Sequence, residues 1–82
     1  MGRVTALSDL RPGEQARVIS LRPDAAISGR LCTLGLVEGT MVTCLLKSPL
    51  GEPTAYLIRG AVIALRCEDA ACVTVRGVDD NG

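Results

Sequence analysis

Apolar positions fall in short alternating runs separated by glycine and proline, and few of these runs exceed five residues. After the turn signal Arg11-Pro12-Gly13, the stretch 13–22 mixes Ala16, Val18 and Ile19 with polar residues, as a half-buried strand does. Upstream, Leu7 with Ser8, Asp9 and Leu10 reads as a single helical turn that closes one end of a core. Pro23 stops the first long strand. Asp24 then stands as N-cap of a helix expected over 25–34, in which Ile27, Leu31 and Leu34 recur on one face. Gly35 ends that helix in the left-handed conformation, and Gly39 supplies a further turn. Residues 40–47 and 54–59 read as partner strands joined by the loop Ser48-Pro-Leu-Gly-Glu-Pro53, where two prolines and a glycine exclude regular structure. A short helical turn is expected near 61–65, a closing strand over 72–76, and a frayed tail over 79–82. Short strands with one short inserted α-helix, in a chain this small, predict a mainly β protein, a partly open β-barrel whose rolled sheet hides its edges.

Composition narrows the function. Hydrophobic residues make up 48% and charged residues 22% of the 82 residues, which is a globular and not a disordered balance. The apolar content is aliphatic, with Tyr56 the single aromatic, so branched side chains must build the core. Nine basic and nine acidic residues cancel, and the arginines stand singly along the chain. A duplex-binding surface needs clustered cations and a single-strand binder needs aromatic platforms, so nucleic acid is disfavoured. No apolar run approaches the about 20 residues that span a bilayer, and the N-terminus carries no secretion-type apolar run. The chain therefore reads as cytoplasmic, without direct membrane insertion.

Four blocks then stand out together: Leu7-Ser-Asp-Leu-Arg-Pro-Gly-Glu14, Arg30-Leu-Cys-Thr-Leu-Gly-Leu-Val-Glu-Gly-Thr40, Ser48-Pro-Leu-Gly-Glu-Pro53, and Arg59-Gly60 with Ala64-Leu-Arg66. In order and spacing they resemble the FeoA family. The resemblance implies an SH3-like domain over 5–78, and a non-enzymatic accessory or regulatory role in ferrous iron uptake through contact with the FeoB transporter on its cytoplasmic side. It implies no cofactor. Two departures stand out against the family pattern: Glu38 replaces a frequent proline, and Leu57 and Val62 occupy positions where polar residues are usual.

Candidate chemistry is sparse. Cys32, Cys44, Cys67 and Cys72 are the soft ligands and there is no histidine. Even the closest pair, Cys67 and Cys72, has four residues between its members, wider than most paired zinc ligands. Cys44 and Cys72 are expected to fill core volume in strands, and Cys32 and Cys67 to lie near helical surfaces. Cys67 and Cys72 remain the alternative, as thiolate ligands of a transition metal. The serines have no histidine base and no phosphate-cradling loop is present, which excludes the familiar catalytic arrangements. If Thr54, Tyr56 and Ile58 face inward, alternation turns Leu57 outward. With Val62 and Leu50 it would form an apolar contact patch, flanked by Arg59, that suits FeoB binding or self-association to form a homo-oligomer.

Overall fold

Strand alternation fixes which side chains are buried, and among the described residues six strands carry it. The computed structural model describes residues 3–22, 29, 35–49 and 52–78. The strands are β1 (Val4–Ala6), β2 (Gln15–Leu21), β3 (Met41–Lys47), β4 (Thr54–Ile58), β5 (Ala61–Leu65) and β6 (Val73–Gly77). All neighbours pair antiparallel, in the order β1-β6-β2-β3-β4-β5. Among the described residues β5 and β1 do not pair with each other, so the rolled sheet stays partly open.

Ala16 and Val18 of β2, Val42 and Cys44 of β3, Tyr56 and Ile58 of β4, and Val73 and Val75 of β6 point to one interior. Leu65 closes it from β5, and Ile63 packs against it half-buried. Two shifts in register, between Val18 and Ser20 and between Cys44 and Leu46, break the alternation. Each inserts an extra residue and bends its strand, the usual means of rolling a sheet. The second also leaves Leu45 and Leu46 consecutive and both exposed.

One end of the interior is plugged by the 3-10 turn Leu7–Asp9, as expected, with Leu7 and Leu10 buried. The Tyr56 phenol donates to the Leu7 carbonyl at 3.4 Å, joining the plug to β4. Ala70, on the short helix Cys67–Ala70 (α1), is buried against the same core.

The helix expected over 25–34 lies outside the described residues apart from Gly29. Two expectations are corrected. Residues 61–65 form strand β5 and not a helical turn. Arg59 at φ 51° and Gly60 at φ 84° make a two-residue turn with both angles positive, which aims the chain straight back along β4. The helical turn comes later, at α1. Cys72 does not sit in a strand filling the core: it occupies the turn before β6, half-buried, while Val73 takes the inward position.

Candidate functional site

Thr54, Tyr56 and Ile58 are buried, and Leu57 between them is exposed, as alternation requires. The register carries this outward position across the sheet. Gln15 faces Thr43, Thr43 faces Leu57, and Leu57 faces Val62. A second row runs alongside, with Leu46 facing Ala55 and Ala55 facing Ala64. Leu46 is 66% and Val62 67% exposed, so these rows form an apolar band on the outer face of β3, β4 and β5. Leu57 and Val62 are thus brought together as cross-strand partners. Leu50, the third residue expected in the patch, lies outside the described residues.

On the other side of the Gln15 row lies a basic row. Val4 faces Arg76, Arg76 faces Arg17, and Arg17 faces Met41. One step beyond Met41 is the turn that carries Arg59, because Val42 pairs with Ile58. Like charges directly opposite, as in Arg17 and Arg76, disfavour the pairing. Arg17 is held by a bond from Nη1 to the Gly39 carbonyl at 3.1 Å. Among the described residues the Arg59 guanidinium has neither a hydrogen bond nor an ion pair. Its stem is nevertheless placed: a Cβ on Gly35 would lie 2.7 Å from Arg59 Cδ, so the arginine packs on the bare glycine backbone.

The segment 36–40 forms the facing wall. Leu36 is buried as an anchor. The Thr40 amide bonds to Val37, the Gly39 amide to the Val18 carbonyl, and the Val18 amide to Thr40, which staples this turn to β2. Between it and the β4–β5 turn runs an open groove of about 600 Å³ lined by Val37, Glu38, Met41, Thr43, Leu57 and Arg59, among others. A smaller groove of about 310 Å³ lies beyond Glu38, against Arg17, Ile19 and Arg76. Among the described residues Glu38 is the only carboxylate lining either groove. The face therefore offers apolar side chains and guanidinium donors, and suits a partner segment that carries both apolar and acidic groups.

The three described cysteines are apart from this face. Burial pushes the Cys44 thiol up, as expected of a small core residue and not of a reactive thiolate. Cys67 is exposed at the start of α1, where its amide donates to Glu52 Oε1 at 2.7 Å. The Cys72 thiol reaches the Glu68 carbonyl at 3.5 Å. Among the described residues no three Cys, Asp or Glu side chains gather in a metal-holding group; Cys32 lies outside them. The basic row escaped sequence reasoning, because Arg17, Arg59 and Arg76 are far apart in the chain and only the register aligns them.

The model of the FeoA domain matches residues 5–77. The chain belongs to the FeoA family. FeoA domains are associated with ferrous iron transport, and one relative shows the link covalently. An Fe(2+) transport protein A/Fe(2+) transporter FeoB fusion protein of Porphyromonas gingivalis is 32% identical over 75 residues, which is 92% of this chain and 9% of the fusion. The chain thus spans only the FeoA-like part of that relative. The solution structure of FeoA from Chlorobium tepidum superposes with a TM-score of 0.83 at 33% identity, covering 92% of this chain and 71% of that one. FeoA of Stenotrophomonas maltophilia, solved in complex with zinc and described as a procaryotic SH3 domain protein, superposes with a TM-score of 0.77 at 35% identity. That match covers 87% of this chain and 88% of the other. The mainly β, SH3-like architecture is that of the family. Among the described residues no helix is long and apolar enough to cross a membrane.

Proposed function

We propose that this FeoA-family protein is a non-enzymatic accessory of ferrous iron uptake that docks, from the cytoplasmic side, onto a FeoB-type transporter. The docking face is the outer surface of β2 to β5. The observation that carries the reading is the alignment of an apolar row, Leu57 and Val62, beside a basic row that ends at Arg59, unpaired among the described residues. A monomer gains little from holding these residues in water. A partner gains the burial of the leucine and valine, and charge-assisted bonds to its carboxylates. Fusion of the two proteins in the Porphyromonas gingivalis relative supports the choice of partner, since a covalent link holds the transporter and its FeoA part at high effective concentration.

A binding titration tests this. The protein is titrated against the isolated cytoplasmic domain of FeoB and against intact FeoB in nanodiscs, with and without GTP. Leu57→Asp is expected to weaken binding at least about tenfold, which is about 1.4 kcal/mol. Arg59→Ala is expected to lower the salt sensitivity of association along with the affinity. Absence of binding to intact FeoB in every nucleotide state would overturn the proposal, and unchanged affinity of Leu57→Asp would reject this face.

A further inference from the structure

Among the described residues nothing pairs with the outer edge of β5. Natural sheets blunt an edge strand with lysine, proline, a bulge or mere shortness. The opposite edge follows this rule, since β1 is only three residues long and is preceded by the exposed Arg3. By contrast β5 is Ala-Val-Ile-Ala-Leu, five residues with no charge and no proline, in unbroken register with β4.

Its hydrogen-bonding pattern follows from the turn. A two-residue turn makes the flanking residues, Ile58 and Ala61, a hydrogen-bonded pair. Alternation then makes Tyr56 with Ile63 and Thr54 with Leu65 hydrogen-bonded pairs as well, and leaves Leu57 with Val62 and Ala55 with Ala64 as the non-bonded ones. The N–H and C=O groups of Val62 and Ala64 therefore point away from β4. Among the described residues they have no other partner, and both residues are exposed.

We propose that this edge pairs with the same edge of a second copy, antiparallel and centred on Ile63. In that register Val62 lies opposite Ala64 of the second copy, and its two peptide groups exchange both bonds with Ala64. Symmetry repeats the exchange, so four hydrogen bonds form and all the free groups of the edge are used. Side-chain size is matched too, because each valine meets an alanine. The outer rows then join. Leu57 and Val62 continue into Ala64, Ala55 and Leu46 of the second copy, which turns two half-exposed bands into one.

A second copy is the occupant that the edge itself matches: the two-fold axis at Ile63 makes the Val62 N–H and C=O meet the Ala64 C=O and N–H, and sets valine against alanine on both sides.

The test uses the full chain without any transporter, so its failure would leave the docking reading standing. By sedimentation and light scattering the wild type is expected to rise with concentration from the 8.6 kDa of one chain toward twice that mass. Val62→Lys, a change at an exposed side chain, is expected to keep the fold and lose the dimer. Ala64→Pro removes an outward N–H that β4 does not use, so the strand tolerates it and the dimer does not form. Leu46→Lys, on β3 and two strands in from β5, is expected to leave the dimer in place. Hydrogen exchange reads the edge directly: the Val62 and Ala64 amides slow by about tenfold or more on concentrating the protein, while the Ile63 amide, already bonded to β4, does not change. A mass fixed at one chain, a dimer that survives both β5 variants, a dimer lost in Leu46→Lys, or a dimer without slowed Val62 and Ala64 amides would each overturn the proposal.

Discussion

Tyr56 shows how much one side chain can hold in a core with no other aromatic. It is 1% exposed, and its phenol donates to the Leu7 carbonyl, so β4 and the 3-10 plug are tied through one ring. Burial pushes its pKa from 10.0 up to about 12. The unfolded chain therefore gives up this proton first. Stability linked to Tyr56 is fully present below about pH 10, falls as pH rises, and is gone once pH passes about 12. Tyr56→Phe is expected to cost about 1 kcal/mol near neutral pH through the lost hydrogen bond. In urea titrations between pH 9 and 12 it should lose stability less steeply than the wild type; equal slopes would show that the phenol is not what titrates. This position was legible in the sequence, because Thr54, Tyr56 and Ile58 alternate with Ala55 and Leu57 and only one choice of face buries the ring. The same logic found Cys44 in the core. It failed for Cys72, where an apolar-looking residue precedes the strand and Val73 takes the buried place.

At the scale of elements, the β4–β5 hairpin decides most of what the outer face presents. Its turn needs two positive φ angles, and Gly60 supplies the one at 84° without strain. Gly60→Ala meets no atom within 4 Å, so its expected cost of about 1 kcal/mol is purely conformational. Gly35→Ala carries a similar conformational cost at φ 103° and also drives a Cβ against Arg59. Chemical denaturation of the two single changes and of Gly35→Ala with Arg59→Ala separates the terms: part of the Gly35→Ala loss should be recovered in the double variant, whereas simple additivity would mean the arginine stem swings aside freely. This hairpin was only half legible. Residues 54–58 advertise a strand by alternation. Residues 61–65 contain no polar residue to mark a face, and Arg-Gly is a weaker turn signal than Asn-Gly, so the run was open to a helical reading until its pairing with β4 was seen.

For the whole molecule, composition and motif spacing were enough to predict a small mainly β barrel, and the β3–β4 pair joined by the loop 48–53 could be placed. What the sequence could not supply was register between distant segments. The basic row exists only because β6 lies against β2, and the short β1 only because β6 offers it an edge. A chain ended after Ala71 lacks the strand that separates β1 from β2, and is expected to show no cooperative thermal transition by circular dichroism. A retained transition would mean that the first strands can pair without it.

That central place of β6 also sets an order of events during synthesis. Strands β1 and β2 leave the ribosome first, yet the segment that must lie between them is among the last made. Until Val73–Gly77 emerges, the barrel wall has a gap and Val18 faces no partner on that side. The nascent domain stays open for nearly all of its translation and closes late. Where more protein is encoded downstream, that closure takes place while the next segment is being made.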